Sequence, residues 1–453
     1  VVARYRELAW SPYYKTQIGQ QALEPVLLDF LARQPCATLR HGHTLKGFTE
    51  DESGVTAQVE TVATGTVETM RAKYLIACDG GTSMVRRALG IGMNGRGRMR
   101  PNVSFLFDSE DFLKAHDRGI GNLYFIFAPG SFGVVTAIDG KRRWNYQLYF
   151  LDKTRRTDDI DPDAALTAMM GRPFAYTLKG VQHWHHHQSV ARRWRSRHPE
   201  TLEGAPGRIF LAGDAAHLFA PTGGVGMNTG IGDAVDLGWK LAATLSGWGG
   251  PGLLASYEAE RKPIAVRNSV ISANNSDKID MVMDETPPQV EDVGPIGDKV
   301  RAEVAAKIRW MARQFNSAGT HLGYRYVASP VIAADGSPEP PDDPAQVVPS
   351  TWPGSRAPHA FTTSATGAQD PSTLDWFGRE FVLLARDGAD AAPLMAALAD
   401  ASVPAKRQPL PTGPVANLFE RPLALVRPDG HVAWRGPKPP KDPAALVAKI
   451  VGR

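Results

Sequence analysis

GDAAHLFAPTGGVGMN, residues 213–228, is the stretch of sequence that decides the fold. It follows an apolar segment, residues 208–212, that predicts a buried strand, and it runs into a long helical pattern. Asp214, at the carboxyl end of that strand, can accept hydrogen bonds from a sugar-alcohol chain, while the glycines let a planar ligand approach backbone N–H groups. The positive end of the helix would stabilise an anionic ring such as a reduced flavin. The pattern predicts a flavin site, and a glycine-rich turn with an incidental aspartate is the alternative.

A second strand-to-helix junction carries the same residue types. A short apolar segment predicts a buried strand, and DGGTS, residues 79–83, then leads into a short helix. A carboxylate and open backbone at this place would face the ribose or the pyrophosphate of a nucleotide. The alternative is that Asp79 or Ser83 only caps the helix, with Arg86 and Arg87 on a solvated face.

Several segments together resemble the single-component FAD-dependent aromatic hydroxylases, typified by para-hydroxybenzoate hydroxylase and phenol hydroxylase. They are the two segments above and YEAERKP at residues 257–263. PGSRAPH at 353–359 and LVRPDGHVAWR at 425–435 are similar to the C-terminal thioredoxin-like domain of the branch that acts on phenols and aromatic polyketides. The resemblance implies an NAD(P)H-dependent FAD monooxygenase. NADPH or NADH would reduce FAD, oxygen would add to give a C4a-hydroperoxyflavin, and one oxygen atom would pass to a phenolic or aromatic polyketide ring.

The same resemblance assigns roles to individual residues. Asp79 matches the acid that serves both FAD and nicotinamide nucleotide binding, and Asp214 matches the partner of the ribityl chain. Pro221 would lie beside the reactive edge of the isoalloxazine ring and is the one residue assigned to catalysis. The cofactor-binding residues that it implies are Gln20, Asp79, Gly80, Asp214, Pro221, Gly224, Gly226, Met227 and Asn228. The backbone of the last four would line the pyrimidine side of the ring.

We predict an α/β fold of mixed α+β character with three domains. An FAD-binding Rossmann-like domain comprises residues 1–100 and 190–329, and an antiparallel substrate sheet, residues 101–189, is inserted into it. Eight prolines mark residues 330–358 as an extended linker before a thioredoxin-like domain at 359–453. Neither cysteine lies in that last domain, so we expect it to have a structural role or to support a homodimer rather than to exchange disulfides.

The resemblance also implies a strand, a G-x-G-x-x-G turn and a helix at the amino terminus, which would hold the FAD pyrophosphate. A βαβ unit needs about 30 residues, and residues 1–20 do not supply one. We therefore expect a Rossmann-like domain that lacks its first βαβ unit, in a sequence truncated at its amino terminus. The arginine that the family places early in the chain beside the flavin is missing as well.

The composition favours a globular enzyme and argues against several other classes. Fifty-one Lys and Arg against 47 Asp and Glu leave a formal charge of +4, too small to predict nucleic-acid binding. Two cysteines exclude a disulfide framework, and no segment is typical of a membrane span or signal peptide, so we predict a cytoplasmic protein without a membrane partner.

In HWHHH, residues 183–187, alternate histidines would share one face of a strand, but no carboxylate or cysteine is near in sequence, and we predict no metal site.

Other interpretations stay open at this stage. A related flavoprotein could reduce, epoxidise or halogenate instead, although a halogenase would need a lysine near the flavin edge that the sequence does not reveal. A non-catalytic remnant would explain the missing pyrophosphate segment. A group of aromatic residues in the inserted sheet has two interpretations. These side chains line a substrate pocket, or they form core, which is the more common role of aromatic residues in such strands. They are Tyr124, Phe127, Trp144, Tyr146 and Tyr149.

Overall fold

The computed structural model describes residues 10–197, 206–362 and 371–453. Within those ranges, every helix is too short or too polar to cross a lipid bilayer. The helices are α1 (Gln20–Ala32), α2 (Met84–Ala88), α3 (Pro162–Met170), α4 (Val225–Leu245), α5 (Pro251–Asp284), α6 (Pro295–Met311), α7 (Ala318–Leu322), α8 (Ala392–Asp400), α9 (Pro414–Leu418) and α10 (Pro443–Ile450). The strands are β1 (His43–Asp51), β2 (Gly54–Thr61), β3 (Thr66–Ala72), β4 (Leu75–Ala77), β5 (Met93–Asp108), β6 (Leu123–Ile126), β7 (Gly133–Ala137), β8 (Arg143–Tyr149), β9 (Thr177–Ala191), β10 (Arg195–Arg197), β11 (Pro206–Leu211), β12 (His217–Leu218), β13 (Phe381–Ala385), β14 (Ala405–Pro409), β15 (Leu423–Val426) and β16 (Val432–Gly436).

Two short apolar strands form the centre of the first domain. β4 and β11 run parallel, with Phe210 beside Ile76 and Leu211 beside Ala77. Ile209, Phe210 and Leu211 of β11 are buried, and the Tyr257 hydroxyl of α5 donates to the carbonyl of Leu211 at 2.8 Å. Parallel strands need cover on both faces, which explains why these segments are apolar rather than alternating. The loops that follow the two strands therefore emerge side by side.

The inserted domain is an antiparallel sheet with the strand order β12-β9-β5-β8-β7-β6. β5 begins at Met93 and β9 ends at Ala191, so these strands run past the predicted limits of 101 and 189. The five aromatic residues singled out in the sequence pack into hydrophobic clusters of this sheet. Trp144 and Tyr146 are fully buried, and the Tyr146 hydroxyl donates to the carbonyl of Ser131 at 2.8 Å. For these two residues the core interpretation is correct.

The histidine run lies on β9, as its alternation predicts. His186 points to the face opposite its neighbours and is buried against α5, with its Nδ1 3.3 Å from the Ser276 hydroxyl. Burial, together with Arg100 and His185, lowers its pKa from 6.5 to about 2. The described residues contain no group of three or more His, Cys, Asp or Glu arranged to hold a metal ion.

His186 gives the sheet a pH-dependent stability. The unfolded chain binds a proton at this ring near pH 6.5 and the folded chain does not, so the free energy of unfolding falls by about 1.4 kcal/mol per pH unit below that point. We expect His186→Gln to remove this contribution, measured as urea unfolding between pH 7 and pH 5. His183→Gln, at an exposed position of the same strand, is the control and should keep the original slope. Equal slopes in all three proteins would contradict the assignment.

The C-terminal domain is a four-stranded sheet in the order β14-β13-β15-β16. β13 and β14 are parallel and joined through α8, and the antiparallel pair β15–β16 is followed by α10. The thioredoxin-like character that the resemblance implies for this domain stays a prediction.

The proline-rich segment before this domain is not a free linker. It has no helix or regular strand, but Val331 and Ile332 are buried, and the N–H of Ala333 donates to Ala433 on β16 at 2.9 Å. Gly354 donates to Val432 of the same strand at 2.8 Å. The segment is extended because of its prolines, yet it packs against the sheet.

Candidate active site

The two aspartates singled out in the sequence follow adjacent parallel strands. Asp79 lies two residues beyond β4, and Asp214 lies three residues beyond β11. The N–H of Ala212 donates to the carbonyl of Ala77 at 3.0 Å, which holds the two loops together at their start. Both aspartates are exposed. In open α/β sheets the crevice outside the carboxyl ends of the strands is where ligands bind, so both carboxylates lie at the expected edge.

Arg86 joins the two loops. Its Nη1 donates to the carbonyl of Ala215 and its Nη2 to the carbonyl of Gly81, both at 2.9 Å. The side chain is buried, and burial lowers its pKa. The solvated face considered for this arginine in the sequence is therefore wrong.

The helix-cap interpretation of the same segment is correct for Ser83. The Ser83 hydroxyl accepts the N–H of Arg86 at 2.9 Å. Asp79 takes part as well, because its Oδ2 accepts the N–H of Val85 at 3.1 Å. A cap and a ligand contact are compatible, because a carboxylate has two oxygens and several lone pairs.

The amino end of α4 opens into the same crevice. Gly224 precedes the helix with φ +67°, a left-handed conformation that favours glycine, and no side chain caps the helix. Pro221, Gly224, Met227 and Asn228 are all exposed. The first N–H groups of a helix have no partner within it and carry a positive partial charge. These donors fit the anionic pyrimidine edge of a reduced flavin.

Hydrogen bonds to α5 and from α7 hold the loop between Asp214 and α4 in place. The Thr222 hydroxyl donates to the carbonyl of Ser272 on α5 at 2.5 Å, and the Nε2 of His321, on α7, lies 3.2 Å from the carbonyl of Gly223. A carbonyl oxygen can only accept, so the Nε2 of His321 donates this bond, and burial lowers the pKa of the ring. Pro221 therefore lies on a loop whose position these hydrogen bonds fix.

One predicted site residue is not brought to the crevice. Gln20 is exposed on α1 and donates to Glu24 one turn along the same helix. Nothing in the described part of the chain joins it to the loops after β4 and β11. Its role in FAD binding stays a prediction.

Comparison with known proteins agrees with this geometry. Residues 2–270 match the family described as FAD binding domain, and residues 350–453 match the family described as aromatic-ring hydroxylase, C-terminal. The chain belongs to the FAD-dependent aromatic-ring hydroxylases. As a hydroxylase of this family it is an oxidoreductase whose cofactor is FAD.

Relatives of this hydroxylase cover most of its length. A putative polyketide hydroxylase of Streptomyces halstedii is 33% identical over 97% of this chain and 76% of the relative. The rebeccamycin biosynthetic enzyme RebC with reduced flavin is 35% identical, with a TM-score of 0.82, over 96% of this chain and 78% of RebC. Aklavinone-11 hydroxylase in complex with FAD and aklavinone is 30% identical, with a TM-score of 0.79, over 100% of this chain and 81% of that protein. The predicted α/β fold is thus confirmed.

Sequence reasoning missed the residues that hold the crevice in shape. Asp233 on α4 and Arg261 on α5 are buried and form an ion pair with Arg261 Nε 2.9 Å from Asp233 Oδ1. The Nε2 of His217 lies 2.7 Å from Oδ2 of the same aspartate. Arg261 lies within the YEAERKP segment at 257–263, but the resemblance gave it no role, and the only signal for Asp233 was an ionisable residue in an otherwise helical segment.

Proposed function

We propose that this hydroxylase is an NAD(P)H-dependent monooxygenase that transfers one oxygen atom from O₂ to a phenolic or aromatic polyketide ring. The observation that supports this most is the exposed Asp214 carboxylate beside the uncapped amino end of α4. The activities for which relatives are named, among them a tetracenomycin A2 monooxygenase-dioxygenase of Streptomyces glaucescens, favour the same class of substrate.

The residues of the crevice divide the work of holding the cofactor. Asp214 would accept hydrogen bonds from the ribityl hydroxyls, and the N–H groups of Gly226, Met227 and Asn228 would face the pyrimidine edge. Asp79, with Gly80, would contact the nucleotide part. Bound FAD would supply the electron transfer from NAD(P)H and the oxygen-transfer chemistry that the resemblance implies.

The substrate would lie between the inserted sheet and the Pro221 loop. Both contact the same stretch of α5: Gln188 on β9 donates to the Ser269 hydroxyl at 2.6 Å, and Thr222 donates to Ser272. Ser269 and Ser272 are nearly one turn apart, so the two walls stand close together. An aromatic ring between them would be shielded from water beside Pro221, which is what transfer of oxygen to a ring without loss of peroxide requires.

Consumption of NADPH or NADH in the presence of phenols and aromatic polyketides tests this function. We expect a true substrate to stimulate NAD(P)H oxidation and to leave as a product with one added oxygen atom, detected by mass spectrometry with isotopically labelled O₂. Stimulated oxidation that yields only hydrogen peroxide from every ring tested, or a reduced or halogenated product, would contradict the proposal. The cytoplasmic location and the homodimer stay predictions.

A further inference from the structure

A buried carboxylate holds both ends of the loop that carries Asp214. Asp233 is fully buried on α4. Its Oδ2 accepts the backbone N–H of Gly213 at 3.1 Å and lies 2.7 Å from the Nε2 of His217. Gly213 and His217 flank Asp214, so the position of Asp233 fixes the direction in which the Asp214 carboxylate projects.

Arg261 holds the other oxygen of this carboxylate. Its Nε donates to Asp233 Oδ1 at 2.9 Å, and its Nη2 donates to the carbonyl of Thr229 on α4 at 3.0 Å. Burial opposes the charge, but Tyr326, Tyr324 and Asp233 raise the pKa of Arg261 above its ordinary value. A buried cation on α5 is therefore fastened to α4 at two points.

Tyr326 contacts both Arg261 and residues of the C-terminal domain. Arg261 Nη1 donates a hydrogen bond to the Tyr326 hydroxyl oxygen at 3.4 Å. The Tyr326 ring is fully surrounded, with its centroid 5.2 Å from the guanidinium carbon of Arg427 and 4.3 Å from the ring of His431. Arg427 and His431 lie at the turn between β15 and β16.

Arg427 enters the first domain between α4 and α5. Its Nη1 and Nη2 donate to the two carboxylate oxygens of Glu260 at 2.6 and 2.9 Å, and Nη2 lies 3.2 Å from Asp236 Oδ1. The Nη2 of Arg427 also donates to Asp429, which lies two residues further along the same turn. A bidentate guanidinium pair of this kind is directional as well as strong.

Arg427 lies in a buried cluster of charged groups. Burial raises the pKa of Asp236 well above its ordinary value, although Lys240 and Arg427 oppose that shift. Although burial alone would raise them, the pKa values of Glu260 and Asp429 are lowered by Arg427. These three carboxyl groups face two cations, Arg427 and Lys240, and Lys240 Nζ lies 2.7 Å from Asp236 Oδ2 and 2.5 Å from Glu260 Oε2. Removal of the guanidinium would leave an uncompensated charge in the interior.

The two ion clusters bridge the same two helices at adjacent turns. Asp236 follows Asp233 by three residues on α4, and Glu260 directly precedes Arg261 on α5. Any shift of α4 against α5 that follows loss of Arg427 would therefore move the Asp233–Arg261 pair, and with it the N–H of Gly213.

We propose that the C-terminal domain sets the conformation of the flavin-binding loop, with Arg427, Tyr326, Arg261 and Asp233 acting in series as positioning residues. None of the four need touch the cofactor. The expected effect on FAD binding rests on the proposed role of Asp214 in holding the ribityl chain. The expected effect on the loop does not, because the conformation of the loop can be measured without FAD.

Hydrogen exchange of the FAD-free chain is the first test. In Arg427→Met we expect the backbone amides of residues 212–218 to exchange about tenfold faster, since the partner of the Gly213 N–H is displaced. The matched control is Arg435→Met. Arg435 is also buried in the same domain, but its carboxylate partners are Asp335 and Glu420, outside the series. Equal acceleration in both variants, or none in Arg427→Met, would overturn the proposal.

FAD affinity and the visible circular dichroism of bound flavin form the second test. Arg427→Met should weaken FAD binding about tenfold and change the flavin spectrum, with partial rescue by Arg427→Lys, which keeps the charge. Arg435→Met should alter neither. If Arg427→Met exchanges faster but binds FAD as tightly as the original chain, the C-terminal domain still sets the conformation of the loop. The proposed effect of that loop on FAD binding would then be overturned.

A double-mutant cycle tests whether the residues act in series. Asp233→Asn and Arg427→Met should each accelerate exchange at residues 212–218, and the double variant should exchange no faster than the faster single variant. Additive effects would overturn the series. If Arg427→Met does not fold, Tyr326→Phe, which removes only the hydroxyl, replaces it in the same cycle, with Arg435→Met as the control.

Discussion

Replacement of Asp214 by alanine is expected to weaken FAD binding by about 10- to 100-fold, because hydrogen bonds to a charged group contribute about 1.5–3 kcal/mol. Asp214 is exposed at the end of β11 and its loop is fixed through Gly213 and His217, so the substitution removes acceptors without disturbing the backbone. Titration of the protein with FAD, followed by quenching of flavin fluorescence, gives the dissociation constant.

Two further variants make this result specific. Asp214→Asn keeps one acceptor and should lose less affinity than alanine. Asp117→Ala removes an aspartate whose side chain is 87% exposed beside Arg118, far from the crevice in sequence, and should bind FAD as the original protein does. If alanine at position 214 binds FAD as tightly as the original chain, the assignment of the ribityl chain to this carboxylate is wrong.

Arg86→Met is expected to lower the free energy of unfolding by about 3 kcal/mol and to weaken FAD binding as well. The substitution keeps much of the side-chain volume but removes both charge-assisted bonds, leaving the carbonyls of the partly buried Gly81 and the buried Ala215 without this donor. The loops after β4 and β11 would then separate. Urea unfolding measures the first effect, and FAD titration measures the second.

Arg87→Met is the matched control because it is the next residue of α2 and is exposed. Its Nε donates to the carbonyl of Ser83 at 3.3 Å, a contact within one turn that does not join the loops. We expect a change in unfolding free energy within about 0.5 kcal/mol. Equal losses in the two variants would show that Arg86 has no special role in joining the loops.

The sequence was sufficient to find the crevice because its residues are local signals. A short apolar strand, an aspartate and a glycine-rich helix start occur together at residues 208–228, and each has a physical meaning that does not depend on distant residues. The same holds for Ser83 as a cap, since the hydroxyl and its partner are three residues apart.

The supports of the crevice could not be predicted because they join residues far apart in the chain. Arg86 and Ala215 are 129 residues apart, and Arg427 and Glu260 are 167 apart. A buried arginine looks like a surface arginine in sequence until its carboxylate or carbonyl partners are known. Composition likewise predicted the extended conformation of the proline-rich segment but not its packing on β16, because proline restricts φ without choosing a neighbour.

A crystal structure of the FAD complex tests the central claim most directly. We expect the ribityl hydroxyls within hydrogen-bonding distance of an Asp214 carboxylate oxygen, with the pyrimidine edge of the ring against the first N–H groups of α4 and its reactive edge beside Pro221. Flavin density at another place, or an Asp214 side chain turned away from the cofactor, would contradict the account.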